Sequence, residues 1–304
     1  MTEIGGIFPS LCTICSDSGE IDPLGERRLV EFVIEKGVHG IAAVIGGGEY
    51  YKYSDGERQK LMEIIVDAAN GKVPVYVGVS CPSTEPTLKL SKYAEDVGAD
   101  GVIILPPFFA QYRPSESELQ SHFRIISNSI NIPVMIQDAD PLGAPVSPKI
   151  MAGLALSNEN INSIKVEGSR QLSRMAETLR LTHKKVRIFG GAGGVRLAEE
   201  LRVGAHGSIP GCSTPEWWVG VFNGFEENGY AGAVGTGNKW RRYMRFMTSR
   251  GFPNPIWTQL EKEVLKMRGV IDSTYTRIPK NPLDQELLPK LRAILESLEL
   301  INQV

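Results

Sequence analysis

Lys165 is the residue in this chain around which chemistry can be built. It lies in Ile161-Asn162-Ser163-Ile164-Lys165-Val166-Glu167-Gly168, a run that reads as a strand. Successive strand side chains point to opposite faces, so Ser163, Lys165 and Glu167 share one face while Ile164 and Val166 take the other. An amine turned among inward-facing groups loses hydration, which favours its neutral form, and a neutral amine can add to a ketone. The same residues also fit a strand-end lysine held in an ion pair with Glu167. On the catalytic reading Glu167 is either a general base or a counter-ion that keeps Lys165 charged, and a tight pair would work against attack.

Other residues with chemical potential lie where neighbouring strands end. Gly46-Gly47-Gly48-Glu49 follows an apolar run, and glycines with open backbone N–H groups can hold a carboxylate without a cationic side chain, or form a plain tight turn. In Val134-Met135-Ile136-Gln137, Met135 and Gln137 share a face, so Gln137 is either a polar pocket group or a satisfied core amide. Leu105-Pro106-Pro107-Phe108-Phe109 could wall a pocket, with Phe109 as a substrate contact, or fill the mouth of a barrel. Ile209 in a late apolar run is expected on the substrate side of the last strand. Gly190-Gly191-Ala192-Gly193-Gly194 precedes a helix, but Arg196 stands where a dinucleotide motif needs its last glycine and no P-loop lysine follows. A permissive loop at the pocket mouth fits better.

These candidates need a scaffold that brings strand ends together. Short apolar runs at 6–11, 39–46, 73–80, 101–107, 132–139, 162–168, 185–190 and 206–211 alternate with helical periodicity at 23–36, 54–70, 83–97, 115–130, 147–156, 169–181, 195–203 and 215–227. Several helices start at a serine and end near a glycine, as at Ser54 and Gly71. Eight alternating units predict an α/β fold, a closed (β/α)8 TIM barrel over residues 1–229, whose active site sits at the C-terminal strand ends. Beyond residue 229 the alternation stops. Helical stretches at 231–250, 255–268 and 285–300 predict a three-helix C-terminal extension over 230–304. Trp217, Trp218, Trp240 and Trp257 fall in or near it and are expected to pack the extension on the barrel.

Composition narrows the function classes. The 304 residues are 42% hydrophobic and 22% charged, with net charge -2 and a pI near 6.2. One large core is expected, and no basic surface for nucleic acid. No apolar stretch approaches a membrane span, the N-terminus lacks a secretory pattern, and a cytoplasmic setting is expected. Cys12-Thr13-Ile14-Cys15 has CxxC spacing, but Cys81 and Cys212 stand alone and the four histidines are scattered, so structural cysteines are expected over a metal or redox site.

Taken in order, Gly6-Ile7-Phe8-Pro9, the glycine turn ending in Glu49, Ser54-Asp55-Gly56-Glu57-Arg58, Pro106-Pro107-Phe108-Phe109 and Ile164-Lys165 make the chain resemble the dihydrodipicolinate synthase and N-acetylneuraminate lyase family over about residues 5–295. The resemblance implies a barrel with a helical extension, a homo-oligomer (dimer or tetramer), and a Schiff-base lysine acting on a 2-oxo acid without metal or cofactor. Lys165 falls at that lysine. Departures narrow the expectation. Gly46-Gly47 replaces a Thr-Thr pair, Gln137 and Phe109 replace tyrosines, and Asp140-Pro141-Leu142-Gly143 lacks the arginine expected for aspartate semialdehyde, so lysine biosynthesis is not expected. Gln137-Asp138-Ala139, Lys165-Val166-Glu167, Gly269-Val270-Ile271, Arg277 and Pro279 resemble the branch containing 2-keto-3-deoxyarabonate dehydratase.

The resemblance therefore implies a dehydratase of a 2-keto-3-deoxy sugar acid, with Lys165 as nucleophile, Gly46 and Gly47 amides on the substrate carboxylate, and base work passed from Gln137, which cannot exchange protons, to Glu167. A pyruvate-dependent aldolase shares the same iminium and stands as the alternative. A non-catalytic sensor of 2-oxo acids is the remaining class, and the retained nucleophile argues against it.

Overall fold

A computed structural model of the chain describes residues 4–107, 114–138, 146–168, 170–249 and 255–302. Its strands are β1 (Gly6–Ile7), β2 (Ile41–Ala43), β3 (Val75–Gly78), β4 (Gly101–Ile104), β5 (Val134–Asp138), β6 (Ile161–Val166), β7 (Arg187–Gly193) and β8 (Gly207–Pro210). From β2 to β8 each strand pairs in parallel with its sequence neighbour, and β1 pairs in parallel with β8. Ser10 forms parallel bridges with both Ala42 and Gly211, which joins β1 to β2 and closes the cylinder. The fold is a (β/α)8 TIM barrel. Several strands stop short of the apolar runs that mark them. The run at 39–46 pairs only over Ile41–Ala43, because the backbone leaves the ladder at Val44, whose φ is +56°, and the glycines after Ile45 go on into a 3-10 turn.

The barrel helices are α1 (Pro23–Glu35), α2 (Asp55–Ala69), α3 (Thr84–Asp96), α4 (Glu116–Ser127), α5 (Pro148–Ser157), α6 (Gln171–Leu181), α7 (Leu197–Val203) and α8 (Pro215–Asn238). Local chemistry sets their starts. Ser54 with Glu57 and Ser115 with Glu118 form reciprocal capping boxes, and Ser147 caps α5 ahead of Pro148. One hydrophobic cluster fills the annulus between strands and helices and includes Ile164 and Val166, while a smaller one inside the barrel stacks Phe8, Tyr76, Met135 and Phe189. The apolar face of β6 therefore packs outward, and Ser163 and Lys165 are left for the interior.

Asn228 and Gly229 break α8, and α9 (Arg241–Met247), α10 (Trp257–Met267) and α11 (Leu287–Ser297) follow. The stretch expected as one helix over 231–250 is two, split beside Trp240, whose ring stacks 5.3 Å from Trp217 at 11°. Trp217 also stacks on Trp218 at 4.0 Å, so three of the four tryptophans form one packed group. These helices share a hydrophobic cluster with Leu197, Leu201 and Ile7, which docks the extension onto the barrel. No helix among the described residues is long and apolar enough to cross a membrane.

Candidate active site

Strand β6 delivers Lys165 to the barrel interior, where it is only 4% exposed. The chain leaves the strand after Val166, and Glu167 turns back so that its Oε2 lies 3.0 Å from Lys165 Nζ. On the neighbouring strand, Gln137 is in register with Lys165 and its Nε2 donates to the same Oε2 at 2.8 Å. The backbone N–H of Ala192, at the end of β7, donates to Glu167 Oε1 at 2.6 Å. Burial alone would push the Glu167 carboxyl up. The Lys165 charge, the Ala192 amide and the hydrogen bonds from Lys165 and Gln137 outweigh it and hold the group below the usual carboxylate range. The centre thus rests as a carboxylate with three donors, one of them the Lys165 amine.

A cavity of about 1050 Å³ opens over this centre. Gly46, Gly47, Gln137, Lys165, Glu167 and Ile209 all line it, so six of the residues singled out in the sequence meet in one place. Gly46 and Gly47 begin the 3-10 turn, and among the described residues their N–H groups have no acceptor, whereas those of Gly48 and Glu49 bond back to Ile45 and Gly46 carbonyls at 2.9 and 3.0 Å. A Cβ on Gly46 would meet nothing within 4 Å, but one on Gly47 would lie 2.3 Å from Ser10 Oγ. The first glycine leaves open space at the cavity; the second lets the turn pack against the Ser10 side chain.

Some expectations are placed elsewhere. Gly48 does not line the cavity. The turn carries it against the segment that follows β1, where its carbonyl accepts the Thr13 hydroxyl at 2.7 Å and a Cβ would meet Leu11 O at 3.0 Å. Phe109 and residues 140–143 lie outside the described residues. The two cysteines of the CxxC stretch face different partners: Cys12 Sγ lies 3.7 Å from Cys212 Sγ, and Cys15 lies 3.4 Å from the Tyr53 hydroxyl. All four thiols are free and buried. Among the described residues, no group of three His, Cys, Asp or Glu side chains is placed to hold a metal ion.

Glu49, which ends the glycine turn, forms a second buried ion pair at 2.6 Å on the cavity wall with Lys52, which the sequence patterns did not mark and whose Nζ also donates to the Arg277 carbonyl at 2.8 Å. Trp257, Gln259, Lys280 and Asn281 come from beyond residue 229, so the C-terminal segment forms part of the wall. Gln171, the first residue of α6, reaches the cavity too.

A model of the dihydrodipicolinate synthetase family matches residues 3–298. The chain is 30% identical over 300 residues to the probable 2-dehydro-3-deoxy-D-pentonate aldolase YjhH of Escherichia coli strain K12, covering 97% of each chain. It is 28% identical over 296 residues to the L-2-keto-3-deoxyarabonate dehydratase of Azospirillum brasilense, covering 97% of this chain and 94% of that one. Among solved structures, YagE, a prophage protein of Escherichia coli K12 crystallised with pyruvate, superposes with a TM-score of 0.87 at 25% identity, covering 97% of this chain and 99% of the other. Barrel, interior lysine and sequence agree: the chain belongs to the dihydrodipicolinate synthetase family, whose relatives named here are lyases of the aldolase and dehydratase kinds.

Proposed function

We propose that the protein is a metal-independent Schiff-base lyase that dehydrates a 2-keto-3-deoxy sugar acid, with Lys165 as nucleophile and Glu167 as the group that moves protons. The observation that carries this reading is the Glu167 carboxylate 3.0 Å from Lys165 Nζ on the cavity wall, held also by Gln137 and Ala192, so that the pair opens when the amine gives up its proton and the carboxylate stays in place. An acid-base group beside the amine is also beside C3 of any substrate bound through C2, which is where dehydration needs a base. Similarity to the deoxyarabonate dehydratase supports the same outcome.

The steps close on themselves. Glu167 takes a proton from the Lys165 ammonium, and the neutral amine attacks C2 of the 2-oxo acid. The proton passes to the carbinolamine hydroxyl, which leaves as water and gives the iminium. Glu167 then removes a C3 proton, forming the enamine, and the C4 hydroxyl leaves as water with that proton. A C5 proton is then removed and a proton returned to C3, which leaves a C4–C5 enol that becomes the aldehyde, and addition of water to the iminium frees the semialdehyde and restores the amine. Gln137 carries no exchangeable acid proton near neutral pH; it holds Glu167 Oε2 in place at 2.8 Å. The open N–H groups of Gly46 and Gly47 take the substrate carboxylate, and Ile209 supplies an apolar side to the pocket. The segment after residue 229 acts as a C-terminal extension that completes the wall.

A second reading is a pyruvate-yielding aldolase, favoured by similarity to the pentonate aldolase. There the iminium draws electrons from the C3–C4 bond after the C4 hydroxyl loses its proton. Incubation with a 2-keto-3-deoxy pentonate separates the two. Dehydration gives one oxo-acid semialdehyde that keeps every substrate carbon; release of pyruvate with an aldehyde, and no semialdehyde, would reject it.

A further inference from the structure

The glycine run at the end of β7 is explained neither by phosphate binding nor by the Schiff base alone. A Cβ on Gly190 would lie 1.8 Å from Glu200 Oε2, and a Cβ on Gly191 would lie 2.4 Å from Glu167 Oε1 and 2.7 Å from Lys165 Cε. Consecutive glycines therefore let two carboxyl groups press on the strand from its two sides. Glu167 approaches from the cavity and Glu200 from α7 behind it. The Gly191 N–H bonds to Glu200, and the next N–H, that of Ala192, bonds to Glu167 at 2.6 Å.

We propose that Glu200 is the positioning residue for Glu167: it anchors the β7 turn that aims the Ala192 amide, and its charge sets how strongly Glu167 holds a proton. The inference rests on the Schiff-base reading above.

The connections around Glu200 are complete and specific. It is fully buried. Oε1 accepts from Gln171 Nε2 at 2.8 Å and Oε2 from the Ser208 hydroxyl at 2.9 Å. Gln171 Nε2 also donates to the Val166 carbonyl at 3.0 Å, in the peptide that leads into Glu167, and Gln171 itself lines the cavity. The neighbours from α6 and β8 are thus neutral, Gln171 and Ser208. The charged groups facing it come from the end of β6, Glu167 with its partner Lys165. On its own helix, Glu199 turns to Tyr230, and Arg196 is exposed.

Burial pushes the Glu200 carboxyl up; hydrogen bonds from Ser208, Gln171 and Gly191 pull it down, the Glu167 charge adds to the rise, and the group settles at about 7. Coupling is reciprocal, so an ionised Glu200 makes Glu167 the better proton acceptor, and a protonated one makes it the poorer. A glutamate in this state is a proton switch at working pH, one peptide away from the carboxylate that takes the Lys165 proton.

The test reads the rate of pyruvate adduct formation at Lys165, trapped by borohydride and followed by intact mass, across pH 5.5–9 on the full chain. The wild type should show a rise through an inflection near neutrality, on the order of fivefold. Ser208→Ala removes a bond that favours the ionised form and should move the inflection to higher pH. Glu200→Gln should lose the inflection and stay at the low-pH rate, and Glu200→Asp, which keeps the charge, should restore part of it. Melting temperatures identify any variant that fails to fold, and if Glu200→Gln is one, Ser208→Ala decides. A wild type without the inflection, or folded Ser208→Ala and Glu200→Gln variants that keep the wild-type profile, would overturn the role of Glu200. No wild-type adduct at all would reject the Schiff-base reading instead.

Discussion

Two buried lysine–glutamate pairs face the same cavity, Lys52 with Glu49 at 2.6 Å and Lys165 with Glu167 at 3.0 Å, and their surroundings are opposite. At Lys52 the amine is the saturated member. It donates to Glu49 and to the Arg277 carbonyl, so it ties the turn after β2 to the C-terminal segment. At Lys165 the carboxylate is the saturated member, fixed by Gln137 and Ala192, while the amine has Glu167 as its single acceptor among the described residues. A lysine with two fixed acceptors is a strut. A lysine beside an immobilised carboxylate is free to leave its partner, and the partner stays where a proton acceptor is needed. The difference lies in which member of the pair the fold holds.

Exchange of the two lysines is the strongest way to break this contrast. Lys165→Ala should lower turnover by at least about a thousandfold and remove the pyruvate adduct, with little change in melting temperature. Lys52→Ala should keep the adduct but lose about 3 kcal/mol of stability, because Glu49 is left buried without its partner. Denaturant unfolding and adduct mass on both variants check the pair. A folded Lys52→Ala protein that forms no adduct would remove the distinction. The carboxylates sharpen it at smaller scale: Glu167→Gln should reduce kcat about a hundredfold while the fold melts near the wild-type temperature.

The smallest effect concerns the strut's outer support. Arg277, whose carbonyl holds Lys52, pairs with Glu57. The Arg277 guanidinium holds the Glu57 carboxyl well below its usual 4.5, at about 2. A depressed carboxyl stabilises the fold above its unfolded value and loses that contribution as pH falls from 4.5 towards 2. Glu57 is partly exposed, so the loss should be only about 0.5–1 kcal/mol. Urea melts at pH 6 and pH 3 should differ less in Glu57→Gln than in the wild type, with the adduct unaffected.

The barrel was legible because each βα unit writes its own local signal, an apolar run followed by helical periodicity. Lys165 was legible because a strand has period two and Ile164 and Val166 mark its packed face. The strand limits were not, since pairing in β2 ends after Ala43, where the apolar Val44 turns to a left-handed φ of 56°, and apolar character does not report that. Gly48 shares its sequence context with Gly46 and Gly47, and only the 3-10 geometry separates their directions. The wall supplied by Gln259, Lys280 and Asn281 depends on contacts across more than half the chain, which leave no local pattern. Glu200 did leave one. It occupies the buried face of α7 between Leu197 and Leu201, and a carboxyl at an apolar position of a helix marks a polar partner inside.

The central claim is that the Lys165 amine reaches a 2-oxo group in this cavity. Borohydride reduction in the presence of pyruvate, followed by intact mass and peptide mapping, tests it most directly. The account predicts one reduced pyruvate adduct, mapped to Lys165, formed equally well with chelator present and missing in Lys165→Ala. An adduct mapped to Lys52 or any other lysine, or none on the wild-type protein, would contradict it.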